Sequence, residues 1–300
     1  MISVIILTYN EEVHIERCIS SLLPFADKVF IVDSFSTDNT VSIARKMGAD
    51  VVSRAWKNYA DQFQWAINNC GVESDWLMRM DADEYLEPDL IDEISEIEPV
   101  SVSDIDGIYI RRKVFFQQKW IKHGGFYPQT LLRIWRKNIG HIEQRWMDEH
   151  IVIGSNSNTL ALRGNIVDDN KKGITFWIEK HNSYATREMA DAINQKYAIT
   201  KKNNELKNGG LSQAKFKRIL KEDFYTIFPL SLRSFLYFIY RYIFRCGFLD
   251  GGKGFLWHFM QGFWYRLLVD IKISEIEKKS GGDVEKIIKY LKEDYGIILT

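Results

Sequence analysis

The chain has 300 residues, 46% of them hydrophobic, and its 40 basic and 40 acidic side chains give a formal net charge of +0. That length and apolar content suit one large domain, or one domain with an appendage, and the charge balance gives no overall reason to expect nucleic acid as a partner. Cys18, Cys70 and Cys246 lie far apart with no metal-ligand spacing, which reads as reduced thiols in a cytosolic setting and excludes a disulfide scaffold.

The opening "MISVIILTYNEE" has no basic leader before its short apolar run and reads as a buried strand rather than a signal peptide. Within it, "ISVIIL" is apolar on both faces, as a central parallel strand requires. "EEVHIERCISSLL" then shows helical spacing at Val13, Ile15, Cys18, Ile19, Leu22 and Leu23. "KVFIVD" is a second strand, "STDNTVSIARKMG" a helix closed by Gly48, "DVVSR" a third strand, "YADQFQWAINNC" a helix and "WLMRM" a fourth strand. This alternation predicts an α/β fold with a parallel sheet and helices on both faces.

Ligands of open parallel sheets bind beyond the carboxyl ends of the strands. Polar clusters fall at those ends here: Thr8, Tyr9, Asn10 and Glu11, then Asp33, Ser34 and Asp38, then Arg54, then Asp81 and Asp83. A single cluster could equally cap the next helix, as Asp38 is placed to do; four on one rim point to a site. On an extended segment Asp81 and Asp83 point the same way and repel unless a cation lies between them. All-oxygen ligation suits Mg²⁺ or Mn²⁺ shared with a substrate diphosphate. Neither GxGxxG nor GxxxxGK[ST] is present, so a hydride-transfer cofactor or a P-loop kinase has no support.

"SVIILTYNEE", "VDSFSTDNT" and "MDADE", in that order, resemble the family 2 glycosyltransferases of the GT-A fold, a Rossmann-like, mostly parallel sheet with helices on both faces. The likeness is close over the first ninety residues or so. It implies that Thr8, Asn10 and Glu11 line a nucleotide pocket, with Tyr9 and Arg54 on the same rim. Asp33 would contact base or ribose, Asp81 would lie near ribose and diphosphate, and Asp83 would ligate the metal directly with Asp81 beside it. Uracil is the base the resemblance favours. Glu84 either joins this set or starts the helix "EPDLIDEISEI".

The aromatic, basic and strand-rich residues 107–155 resemble the acceptor region of a branch that builds bacterial surface glycans, with Gly124, Gly125 and Pro128 at a tight turn. In "MDEHIVI" the resemblance puts the base of an inverting transfer at Glu149. Asp148 is the alternative, and on extended chain only one of the two can face a cleft. "EQRW" has Ile142 three positions before Arg145, not the glutamine of processive polysaccharide synthases. "KHNSYATRE" resembles a pattern of the same branch. As a helix it aligns Lys180, Tyr184, Arg187 and Glu188, so Lys180 and Arg187 could grip a diphosphate. Glu188 reads more simply as an ion-pair partner. His181 either completes the metal shell or is structural.

Residues 224–273 are dense in Phe, Tyr, Trp and Leu, yet interrupted by Arg233, Arg241 and Arg245 on one helical face. Central arginines oppose spanning, so these helices are expected to lie at a membrane surface with arginines at headgroup level, helped by the basic stretch 201–221. The bland alternative is the core of a small helical subdomain. From Lys278 onward the chain reads as a solvated helix without a site.

The expected organisation is a GT-A domain over 1–200 and a helical, membrane-interfacial appendage over 201–300. Within the first, 1–100 serves the nucleotide sugar and 101–200 the acceptor. The expected activity is inverting transfer from a UDP-sugar to a hydroxyl of a lipid-linked or lipopolysaccharide-type glycan, with Mg²⁺ or Mn²⁺, at the cytoplasmic face of the bacterial inner membrane and with no nucleic-acid partner. Two rivals remain at this point: a polyprenyl-phosphate glycosyltransferase, whose acceptor needs no base, and a silent nucleotide-sugar-binding membrane adaptor.

Overall fold

The computed structural model describes residues 1–97, 102–143, 149–200 and 232–298. Strands β1 (Ile2–Thr8), β2 (Ala26–Asp33), β3 (Asp50–Ser53) and β4 (Trp76–Asp81) alternate with helices α1 (Ile15–Leu22), α2 (Thr40–Lys46) and α3 (Tyr59–Asn69). β1 runs parallel to β2 and β4, and β2 parallel to β3, so all four carboxyl ends lie on one edge. Successive residues of a strand face opposite sides: Val4 and Ile6 pack with Ile15, Ile19 and Ala44, while Ile5 packs with Ala60, Phe63 and Ala66. α1 is shorter than its apolar spacing suggests. Glu11 O accepts the N–H of both His14 and Ile15 in a turn, which leaves Val13 exposed.

Beyond β4 the chain turns into β5 (Glu84–Leu86) and α4 (Pro88–Ser95), followed by β6 (Gly107–Phe116), β7 (Lys119–Ile121) and β8 (Gln129–Arg136). A small ribbon, β9 (His141–Ile142) with β10 (Ile151–Val152), precedes β11 (Thr159–Asp168). Among the described residues the main sheet runs β3-β2-β1-β4-β8-β6-β11-β5, with β7 attached to β6. It is parallel in its first half. β8 then enters antiparallel to both β4 and β6, and β11 lies parallel to β6. This mixed α/β layering is a GT-A arrangement. β8 sets Arg133 beside the end of β4, and β11 delivers Asp168 to the same edge.

Helix α5 (Gly173–Tyr197) is followed, among the described residues, by α6 (Leu232–Ile239), which widens into a π turn at Tyr240–Phe244. α7 (Gly251–Trp257) continues through a second π segment, His258–Trp264, into α8 (Tyr265–Ser280); α9 (Val284–Tyr295) closes the chain. The carboxyl-terminal half of α5, with Ala185, Met189, Ala190 and Ile193, shares a core with Val269, Ile273 and Ile276 of α8. Ile287 and Leu291 of α9 join that core, so the last helix is amphipathic rather than solvated all round. Among the described residues no helix is long and apolar enough to cross a membrane.

Two of the three arginines expected at headgroup level turn inward. Arg233 pairs with Asp270 of α8. Arg241, 7% exposed, donates its Nε–H to Gly124 O at 2.8 Å and lies 3.5 Å from the Phe126 ring centroid. A guanidinium can be buried when carbonyls and π faces replace its water, and here they come from a turn more than a hundred residues away. The basic stretch 201–221 and Asp148 lie outside the described residues.

Candidate active site

The strand-end rim opens into a cleft of about 1470 Å³. Thr8, Tyr9, Glu11, Asp81, Asp83, Glu149, Lys180, His181, Tyr184 and Arg187 all border it. Asn10, Asp33 and Arg54 do not. Asp33 accepts from the hydroxyls of Thr8 and Ser36 and from the Ser36 N–H. Asn10 Oδ1 accepts the Thr37 N–H. Arg54 pairs with Asp61 at 2.6 Å and donates to Gln62 Oε1. Asp38 accepts both the N–H and the hydroxyl of Thr40, the first residue of α2, which is a capping role.

The segment from Asp81 to Glu84 is a turn between β4 and β5 rather than extended chain, so the two aspartates are held apart by local geometry and by separate cations. Asp81 accepts from Tyr59 Oη at 2.8 Å and lies 3.8 Å from Arg79 Nε and 3.9 Å from Arg133 Nη1. Burial alone would raise its carboxyl; Arg79 and Arg133 outweigh it and hold the group down at about 2. Asp83 Oδ2 accepts from Asn170 Nδ2 at 2.9 Å and lies 3.6 Å from Lys180 Nζ. Against burial, Lys180 keeps Asp83 below the usual carboxylate range, and Asp83 in turn raises Lys180 against its own desolvation.

Glu84 neither starts a helix nor faces the cleft. It is 1% exposed and Arg133 is 3% exposed, and the two pair at 2.6 Å, Nη2 to Oε1. The other oxygen, Oε2, accepts the Asp81 N–H at 3.0 Å. Burial lifts Glu84 to about 7 in spite of Arg133. Glu84 and Arg133 thus fix the backbone and the charge of Asp81 from beneath.

The loop after β11 is tied to the loop after β1. Glu11 accepts from Lys172 Nζ and from His14 Nδ1, each at 2.6 Å, and Arg17 binds Asp169 at 2.7 Å. Asp168, at the end of β11, is pushed up to about 6 by burial and then by Asp83. Among the described residues no three His, Cys, Asp or Glu side chains cluster tightly enough to form a metal site alone. A Mg²⁺-like ion, however, uses one or two carboxylates and completes its shell with water and phosphate oxygens. Asp81 and Asp83 both border the cleft and offer only carboxylate oxygens, so the donor set fits such an ion. His181 stacks on Trp177, ring centroids 3.5 Å apart, and its Nδ1–H donates to Trp177 O. Burial and Lys180 lower it to about 4, so the ring is neutral near pH 7 with Nε2 as its lone-pair nitrogen.

Glu149 O accepts from Arg79 Nη1 at 2.9 Å, which anchors that residue's backbone to β4 at the cleft wall. On α5, Arg187 lies 5.9 Å from the Tyr184 ring centroid. Glu188 accepts from Tyr265 Oη and pairs with Arg266, the ion-pair role expected for it. Arg79, Arg133, Tyr59, Arg112, Asp168 and Asn170 complete the surroundings of the two aspartates and were not singled out from sequence. A signal existed for two of them: Arg79 in "WLMRM" and Arg133 in "TLLRIW" are lone charges inside apolar strands, where a charge needs a partner.

Residues 3–167 match the family model described as glycosyl transferase family 2. The chain belongs to glycosyl transferase family 2. The family match takes in Asp81, Asp83, Glu84, Arg133, Glu149 and β11 as far as Val167, and it stops before Asp168, the loop after β11 and α5. Among curated relatives, an uncharacterized glycosyltransferase of Rickettsia bellii is 47% identical over 96 residues, 32% of either chain. The chain thus spans about a third of the length of the Rickettsia relatives it matches. The lipopolysaccharide core biosynthesis glycosyltransferase LpsC of Rhizobium meliloti is 28% identical over 196 residues, 62% of this chain and 69% of that protein. Among solved structures, glucosyl-3-phosphoglycerate synthase of Mycobacterium tuberculosis, in complex with Mn²⁺, UDP and glucosyl-3-phosphoglycerate, is 24% identical with a TM-score of 0.29, covering 38% of this chain and 44% of that one.

Proposed function

We propose that this protein is an inverting, divalent-metal-dependent glycosyltransferase that moves a sugar from a nucleotide donor, read as a UDP-sugar, to a hydroxyl of a lipid-linked or lipopolysaccharide-type glycan at the cytoplasmic face of the inner membrane. The observation that carries the reading is the meeting of Asp81, Asp83, Lys180 and Glu149 around one cleft in a chain of this family. Asp83, with Asp81 beside it, would hold Mg²⁺ or Mn²⁺, which when bound neutralises charge on a leaving diphosphate. Thr8, Tyr9 and Glu11 border the nucleotide side, while Lys180 and Arg187 offer cationic donors to phosphate oxygens.

Glu149 takes the proton from the acceptor hydroxyl as its oxygen bonds to the anomeric carbon, and the bond from that carbon to the nucleoside diphosphate breaks with the electron pair leaving on phosphate oxygen. Calorimetric titration of UDP, GDP, CDP and dTDP with and without Mn²⁺, on the wild type and Asp83→Asn, tests the reading. It expects metal-dependent binding of one diphosphate that the variant loses. Binding of none would overturn it, and full turnover by Glu149→Gln would remove the base from it.

A further inference from the structure

The helical segment after residue 231 presents an apolar surface to the outside. Helix α6 and its π turn expose Phe235, Tyr240, Ile243 and Phe244, the last 74% exposed, and the following turn exposes Leu249 at 59%. The surface is continuous with α7. Phe235 meets Phe263 at 6.1 Å between ring centroids, Phe263 meets Phe259 at 5.6 Å, and Phe259 stacks on Phe255 at 6.0 Å. An exposed patch of this density is a place of contact.

Charge points to the occupant. Between residues 232 and 264 the only acid is Asp250. It is buried, its carboxylate 2.7 Å from His123 Nδ1, while Arg245 and Lys253 are exposed at the rim. A second copy of such a face would be repelled; anionic headgroups would be attracted. Because Arg233 and Arg241 are committed inward, the exposed side chains of α6 and its π turn are apolar and suited to shallow insertion below the headgroups. The same elements reach the cleft, since Trp257, Lys253 and Gln261 line it.

Resting on the transferase reading for its purpose, we propose that residues 232–259 form a docking surface that inserts into an anionic lipid bilayer next to the acceptor end of the cleft. An acceptor glycolipid would then present its sugars to the cleft while its acyl chains stay in the bilayer.

Flotation of the full chain with phosphatidylethanolamine–phosphatidylglycerol vesicles tests the proposal, with phosphatidylcholine vesicles as the uncharged comparison. The wild type floats with the anionic vesicles, and the double variant Phe244→Ser with Leu249→Ser lowers its partition by about tenfold or more while keeping its melting temperature. Arg245→Glu weakens flotation on anionic vesicles alone. A wild type that stays in the dense fractions, a double variant that floats equally well, or a dimer in light scattering that the double variant dissolves would each overturn it. Titration of UDP, GDP, CDP and dTDP on the same samples separates the two readings: vesicle binding without metal-dependent binding of any of them sinks the transferase reading and leaves the docking surface standing.

Discussion

Replacing Arg133 with methionine is the sharpest test of how the aspartates are held. Arg133 is 3% exposed and Glu84 1%, they pair at 2.6 Å, and Glu84 Oε2 holds the Asp81 N–H. Arg133→Met keeps an unbranched apolar stem and removes the guanidinium with its charge, leaving Glu84 buried without its cation and near Asp81. Breaking one side of a buried pair costs about 3–5 kcal/mol. At roughly 2–4 °C per kcal/mol for a chain of a few hundred residues, thermal unfolding followed by circular dichroism should show a melting temperature lower by roughly 6–20 °C. The loss should be larger at pH 9 than at pH 6, because Glu84 regains neutrality by protonation as pH falls. The double variant Arg133→Met with Glu84→Gln should recover more than half of it, the partner charge being gone. A loss under about 2 °C, or a double variant that simply adds two losses, would refute the reasoning, since buried partners must couple.

The pH dependence of stability follows from the same groups. Glu84 at about 7 and Asp168 at about 6 are raised above their ordinary values, so the folded chain binds more protons than the unfolded one between about pH 4.5 and 7. The stability they contribute is present below that window and lost as pH rises through it, so metal-free protein should melt higher near pH 5.5 than at pH 8, with Glu84→Gln shrinking the difference. Asp81, depressed to about 2, acts oppositely, and its contribution is lost as pH falls toward 2. Gly124→Ala should destabilise by at least about 2 kcal/mol in urea titration, because φ is +71° there and a Cβ would meet His258 Cε1 at 2.0 Å. Arg187→Ala should weaken UDP binding by about tenfold in calorimetry with little change in melting temperature, since Arg187 borders the cleft and charge-assisted phosphate contacts are the strong ones.

The first half of the fold was legible because buried strands and amphipathic helices write period-two and period-3.6 patterns directly into the chain. "ISVIIL", "KVFIVD" and "WLMRM" fall within β1, β2 and β4. What was not legible depended on distant partners. Glu84 follows an Asp-x-Asp and precedes a helix, so local reading leaves it a ligand or a helix start, yet its role is set by Arg133, 49 positions away in sequence. Arg241 looks like a headgroup contact until Gly124 O and Phe126 are brought against it. Asp33 and Arg54 sit at strand ends as site residues should, but protein partners, Thr8 and Ser36 for one, Asp61 and Gln62 for the other, take up their polar groups. Strand ends locate a rim; which side chain of the rim turns to the ligand is decided by neighbours that periodicity does not report.

Helix α5 carries two unrelated duties on one rod. Its first half sets Lys180 against Asp83, and its second half buries Ala185, Met189 and Ile193 against α8 and α9. The angular phase between these halves is fixed by the residues that separate them, at about 100° per residue. Adding or deleting one residue between 181 and 184 would leave every side chain chemically intact, yet no rotation of the helix could satisfy both ends, and the cleft and the carboxyl-terminal helices would compete for the same element. Over this stretch the sequence is under a constraint of count, not only of kind, and homologous proteins that vary freely in composition here should hold its length.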